Sequence, residues 1–142
     1  MLDLASGSGL VAIAAAAAGA ASVTPSETDA LAATAITLNA RVNRVRLEPT
    51  VGDLLSGPGH GPDLAHADVV LAGDAFYDRH MAGLMLPFLE RASQAGALVL
   101  VGDPGRAYLP RERLAEVATY DVPVERVIED ADVKPATVWR LR

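Results

Sequence analysis

Two rhythms of apolar residues alternate along the chain: short continuous runs, and longer stretches where they recur every three or four positions. The first pattern marks buried strands and the second amphipathic helices. Met1 to Leu4 reads as the end of a first strand, and Leu10 to Ala18 as a helix stopped by Gly19. Ser22 to Ser26 reads as a second strand, with Glu27 at its C-terminal end. Asp29 is a good N-cap for a helix from Ala30 to about Ala40. Leu31, Ala35 and Leu38 share one apolar face of it at i, i+4 and i+7. A short third strand is predicted near Arg44 to Leu47. Residues 52 to 67 hold Gly52, Gly57, Pro58, Gly59, Gly61 and Pro62 and read as loop. Asp68 to Ala72 and Ala97 to Val101 read as buried strands. Between them a helix from about Arg79 to Ala95 turns Met81, Leu84, Met85, Phe88 and Leu89 inward, with a kink expected at Pro87. Pro110 to Ala115 reads as a short helix with its proline in the first turn. Val117 to Val124 and Ala136 to Leu141 are two last strands. A charged link without a helix joins them, so they pair antiparallel.

This order predicts an α/β fold in one domain over residues 1–142. It is a Rossmann-like doubly wound sheet, mostly parallel, with an antiparallel last strand. Ligands in such sheets sit at the carboxyl ends of the strands, beside strand 1. Asp3, Ser6, Gly7 and Gly9 lie there, as do Glu27 and Thr28 after strand 2 and Asp53 and Leu54 after strand 3. Ala72 ends strand 4, and Asp74, Phe76 and Tyr77 follow it. Only Met1 and Leu2 precede Asp3, where a strand of about five residues is usual. The chain therefore reads as starting inside a fold, with its N-terminal segment missing. Self-association through the incomplete start is expected.

Composition narrows the partners. Hydrophobic residues make up 51 % of the chain, enough to bury a real core. A net charge of −6 argues against nucleic acid and against an anionic membrane surface. Lys134 is the only lysine among the twelve basic residues, which together with the alanine richness reads as a GC-rich, bacterial codon bias. There is no cysteine, so disulfides and thiolate chemistry are excluded. His60, His66 and His80 have no metal-ligand spacing, and no metal is expected. Leu4 through Ser26 carries no charge, but Ser, Gly, Thr and Pro residues cut it into pieces too short to cross a bilayer. Asp3 and the lack of a positive charge at the start argue against a signal peptide. The reading is a cytoplasmic protein with no membrane partner.

The candidate chemistry begins with Asp3-x-x-x-Gly7-x-Gly9. A strand, a glycine turn and a helix N-terminus make a nucleotide-binding corner. A dinucleotide would place its pyrophosphate there, and a buried acid repels it. On this stretch alone, methyltransferase, NAD-type binding and a plain turn all remain open. Asp3-x-x-x-Gly7-x-Gly9 resembles motif I of the class I S-adenosylmethionine-dependent methyltransferases. Gly52-Asp53-Leu54-Leu55 resembles the motif after their third strand. Gly73-Asp74-Ala75-Phe76-Tyr77-Asp78, Gly102-Asp103-Pro104-Gly105-Arg106 and Thr137-Val138-Trp139 together resemble lysine methyltransferases that modify the β-subunit of electron transfer flavoprotein. They also resemble bacterial proteins labelled nicotinamide N-methyltransferase-like or ribosomal-protein lysine methyltransferase-like. The likeness runs from Leu2 to Leu141.

That resemblance implies S-adenosylmethionine as cofactor. Asp3 would lie under its methionine amino group, within the turn of Ser6, Gly7 and Gly9. Glu27 would hold the ribose hydroxyls, with Thr28 beside the adenine. Asp53 would accept from the adenine amine and Leu54 would offer its backbone N–H, with Ala72 near the ligand at the end of strand 4. Asp74, Phe76 and Tyr77 would shape the acceptor slot, with Asp74 and Tyr77 as the catalytic pair. The implied acceptor is a protein lysine or a small nitrogenous molecule. Ala5 and Ala30 depart from the family pattern, which often has glycine and proline there. An NAD-dependent oxidoreductase fragment and a non-catalytic cofactor-binding module are the alternatives.

Overall fold

The computed structural model describes residues 1–56, 67–124 and 132–142. Among these residues seven strands form one sheet in the order β3-β2-β1-β4-β5-β7-β6. They are β1 (Leu2–Leu4), β2 (Thr24–Glu27), β3 (Thr50–Val51), β4 (Val69–Gly73), β5 (Leu98–Asp103), β6 (Leu114–Pro123) and β7 (Val133–Leu141). The helices are α1 (Leu10–Ala17), α2 (Ala30–Val42) and α3 (Arg79–Gln94). β1 to β5 pair parallel. β7 runs antiparallel to β5, with Leu100 opposite Arg140 and Asp103 opposite Thr137, and β6 runs antiparallel to β7. The fold is therefore the doubly wound sheet with an antiparallel end that the strand order predicted.

β1 is only three residues long but central, with Thr24 and Val70 flanking Leu2 and Ser26 and Ala72 flanking Leu4. Its side chains alternate between two layers. Leu2 and Leu4 join Val70, Ala72, Val99 and Val101 under α3, where Phe76, Met85, Phe88 and Leu89 close the larger core. Asp3 faces the other way, toward α1, whose Ala12 backbone N–H donates to its carboxylate. Ala12 and Ile13 of α1 pack there with Val23, Ile36, Ala40 and Leu47 in a second core.

Several predicted boundaries shift for local reasons. Arg44 to Leu47 is not a strand. Arg44 adopts φ +58 after α2, and the Val45 N–H donates to the Ala40 carbonyl, a left-handed helix exit. The chain then climbs back past buried Leu47 and pairs with β2 only at Thr50 and Val51. Pro110 leads into a single 3₁₀ turn, Arg111–Arg113, because Leu114 already pairs with Leu141. β2 begins at Thr24 rather than Ser22 and takes in Glu27, and α3 ends at Gln94 with Pro87 inside it. The link from 125 to 131 and most of the glycine-rich loop, 57 to 66, lie outside the described residues.

The apolar face picked out on α2 points outward. Leu31 is 79 % exposed and Leu38 54 %, whereas Ala33, Ile36 and Ala40 are buried. Ile36 sets this orientation by lying against Gly9: a Cβ on Gly9 would stand 3.1 Å from both Ile36 γ-carbons.

Candidate active site

A cavity of about 510 Å³ opens at the carboxyl ends of β1, β2, β3 and β4. That lies within the range of small-molecule sites, about 300–1,000 Å³. Backbone hydrogen bonds continue past the strand ends and hold the loops side by side. The Ser6 N–H donates to the Ser26 carbonyl at 3.1 Å, Gly52 to Glu27 at 2.8 Å, and Asp74 to Gly102 at 2.8 Å. Loops distant in the chain thus line one cavity.

Ser6, Gly7, Glu27, Thr28, Asp53, Leu54, Asp74 and Tyr77 all lie on its wall. Gly7 (φ +54) and Gly9 (φ +86) make the turn before α1. Glu27 accepts from the backbone N–H groups of Gly7 at 3.2 Å, Thr28 at 3.1 Å and Asp29 at 3.4 Å, so its carboxylate ties the β1 loop to the β2 loop. Asp53 accepts from the N–H groups of Leu55 and Ser56 at 2.9 and 3.1 Å and from the Ser56 hydroxyl. It organises its own turn, which presents Leu54 and Leu55 to the cavity.

Four predicted residues sit behind the wall. Gly9 is buried beneath Ile36, and Ala72 is 1 % exposed in the core under α3. Phe76, expected beside the acceptor, is also 1 % exposed and belongs to the α3 core. A phenyl ring gains more against Met85 and Phe88 than at a wet opening. Tyr77, whose ring carries a polar tip, stays at the mouth at 56 % exposure.

Asp3 is the fourth. It is 1 % exposed between β1 and α1. Its Oδ2 accepts from the Ser6 hydroxyl at 2.8 Å and the Ala12 N–H at 3.1 Å, and its Oδ1 has no hydrogen-bond partner among the described residues. Burial pushes its carboxyl up to about 6, against the opposing pull of Ser6 and Ala12, and the Glu27 charge adds to the rise. A buried oxygen lacking a donor suits a ligand that brings positive charge.

The wall carries three carboxylates, Glu27, Asp53 and Asp74, and Arg106 pairs with the last of them. Carboxylates on the wall disfavour a pyrophosphate. Among the described residues no cluster of His, Asp and Glu could hold a metal ion, and no helix is long and apolar enough to cross a membrane.

Leu4, Ala5, Ser8, Ser26, Gly52, Leu55, Gly73, Ala75 and Met81 also line the cavity, and sequence reasoning gave none of them a site role, although Gly52, Leu55, Gly73 and Ala75 stood in its motifs. Most offer backbone or a small side chain, which carries no chemical signal. Gly73 has one: a Cβ there would come within 2.7 Å of Val11 Cγ2, so a side chain at the end of β4 would require Val11 of α1 to shift.

The sequence model of the ribosomal protein L11 methyltransferase (PrmA) family matches residues 1–74, just over half of the chain and all of the cavity's first three loops. The chain belongs to that methyltransferase family. The chain is also similar to electron transfer flavoprotein β-subunit lysine methyltransferases. It is 33 % identical to the Danio rerio protein over 145 residues, covering 99 % of this chain and 55 % of that protein. With the Homo sapiens protein identity is 32 %, over 98 % of this chain and 53 % of that one. The chain thus spans about half the length of the curated relatives it matches. Solved structures share the fold. One is a Pyrococcus abyssi tRNA (uracil-54, C5)-methyltransferase in complex with S-adenosyl-L-homocysteine, with TM-score 0.67 and 16 % identity over 99 % of this chain and 33 % of that one. Another is the ribosomal protein L11 methylase of Lactobacillus delbrueckii subsp. bulgaricus, with TM-score 0.58 and 17 % identity over 99 % and 69 %. The PrmA-type assignment fits the class I methyltransferase fold that the motifs implied.

Proposed function

We propose that this chain carries the cofactor site and acceptor mouth of an S-adenosylmethionine-dependent protein lysine N-methyltransferase. The observation that carries this reading is the acid-walled cavity at the carboxyl ends of the parallel strands, with a buried, underbonded Asp3 behind its glycine turn. S-adenosylmethionine bound there would supply a methyl group already activated on a positively charged sulfur. Glu27 would accept from the ribose hydroxyls, replacing its long bonds to Gly7 and Asp29. The turn held by Asp53 would present Leu54 and Leu55 to the adenine. Asp3 would balance the ligand's ammonium group from behind the turn. Asp74 and Tyr77 stand at the opening, where they can orient an entering amine. A lysine must lose its proton before its nitrogen can attack in line, so placement by these two groups is the main task left to the protein.

The acceptor we favour is a lysine of the β-subunit of electron transfer flavoprotein, which the relatives' names specify. Calorimetry tests the cofactor half: S-adenosylmethionine and S-adenosylhomocysteine should bind and NAD should not. Glu27→Ala should weaken binding by about 1.5–3 kcal/mol, the worth of hydrogen bonds to a charged acceptor. Tighter binding of NAD would overturn the reading.

A further inference from the structure

The Gly102–Arg106 turn is a sequence motif to which the cofactor site gives no role. It closes on the acceptor side instead. Arg106 Nε donates to Asp74 Oδ1 at 2.6 Å and Nη2 donates to Oδ2 at 2.7 Å, a two-pronged pair at the cavity mouth. Both partners are built for it. The Asp103 carboxylate, 2 % exposed, accepts from the Gly105 and Arg106 N–H groups at 2.7 Å each and sets the turn. Asp74 sits at φ +51, a left-handed conformation that few residues but Asp and Asn adopt readily, and its N–H is held by Gly102. Parallel N–H bonds of this kind are the strong, directional form of a charged pair.

We propose that Arg106 is a positioning residue for methyl acceptance: it turns Asp74 from a counterion into a fixed, charge-balanced hydrogen-bond acceptor. This rests on the lysine-methyltransferase reading above. A bare carboxylate at the mouth would bind a lysine ammonium well but hold it protonated, the form without a lone pair. With Arg106 in place each Asp74 oxygen still has a lone pair for an amine N–H, while the net charge of the pair is zero. The charged and titratable groups on the surrounding elements are Tyr77, Asp78, Arg79 and His80 on the same loop and first turn of α3, Asp103 under the β5 turn, and Glu27 and Asp53 across the cavity.

The test uses the full chain and three variants: Arg106→Gln, Arg106→Lys and Asp74→Asn. Asparagine tolerates the left-handed backbone, so the last variant should fold. In nitrogen-15 NMR the Arg106 Nε–H signal should be sharp and shifted downfield in the parent, and should merge with the exchanging arginines in Asp74→Asn. A signal indifferent to Asp74 overturns the proposal. Methyl transfer to the β-subunit of electron transfer flavoprotein is then followed from about pH 6 to pH 10, across the titration of a lysine amine. Arg106→Gln should lower KM at neutral pH and move the rise of kcat upward by about one pH unit, the low end for an uncompensated neighbouring charge at a half-exposed site. Arg106→Lys should bring the profile back toward the parent. A profile that Arg106→Gln leaves in place, or that Arg106→Lys moves equally, overturns the proposal. Calorimetry with S-adenosylhomocysteine separates the two readings. A parent chain that neither binds it nor transfers methyl defeats the proposed function, and the Arg106 signal then decides the pair alone.

Discussion

Asp3→Asn should stabilise the protein at neutral pH, and by an amount that depends on pH in a defined way. The Asp3 carboxyl is 1 % exposed and titrates at about 6 rather than 3.8. Below pH 3.8 it is protonated in both the folded and unfolded chain, and burial of its charge costs nothing. Between 3.8 and 6 the unfolded chain releases the proton first, so folding stability falls as pH rises. Above 6 the cost is complete. The gap of about two pH units corresponds to about 3 kcal/mol, at about 1.4 kcal/mol per unit. Asparagine keeps an acceptor for Ser6 and Ala12 and carries no charge, so it escapes that cost. Its amide replaces an oxygen that already lacks a partner, and any resulting offset is the same at every pH. Urea unfolding of both proteins from pH 3.5 to pH 8 checks this, with the quantity of interest being the difference between the two curves, because the remaining carboxylates cancel in it. The difference should be flat at the acid end, grow by about 3 kcal/mol up to pH 6 and stay level beyond. A difference independent of pH would show that Asp3 ionises normally in the fold, and would remove the case for an electrostatic deficit behind the glycine turn.

The other predictions concern packing around the same turn. Gly9→Ala places a Cβ 3.1 Å from Ile36 at a backbone φ of +86 and should cost about 1–3 kcal/mol in a melting experiment. An unchanged melting temperature would mean that the turn relaxes freely. Ile36→Ala should cost about 2–5 kcal/mol, because the side chain is fully buried. Leu38→Ala, on the exposed side of α2, should stay within about 0.5 kcal/mol. The reverse order would return Leu31, Ala35 and Leu38 to the inward face.

Much of the fold was legible because local signals agreed. The helix starts at Leu10, Ala30 and Arg79 were read correctly, one of them from a cap that the structure uses, Asp29 to Leu31 N–H; the Asp78 cap on the Met81 N–H was not used to place Arg79. The antiparallel end followed from two apolar runs whose connecting sequence carries no helical pattern. The misread parts are those where a contact outvoted a pattern. The i, i+4, i+7 stripe on α2 is as apolar as the true inward face, and tertiary packing, with Ile36 against Gly9 and in the core with Ala12, Ile13 and Val23, decides which side faces the sheet. Phe76 looked like an acceptor-site residue because it stands between Asp74 and Tyr77. Its ring goes to the core because a phenyl group gains more from burial than from a wet mouth.

By itself the sequence determined the doubly wound order of elements, the family's motifs, and the acids that gather at the strand ends. These follow from short-range chemistry: capping, period and the placement of glycine. Asp53 caps its own turn, a local role. Tertiary structure alone decided what Asp3, Glu27 and Asp74 do. Asp3 is short of a partner because β1 turns it beneath α1. Glu27 reaches the Gly7 N–H because the β1 and β2 loops meet. Asp74 meets Arg106, 32 residues away, because β4 and β5 pair in a register that sets Gly73 beside Gly102. A pairing between side chains on separate loops depends on strand register, and no local pattern in the chain encodes it.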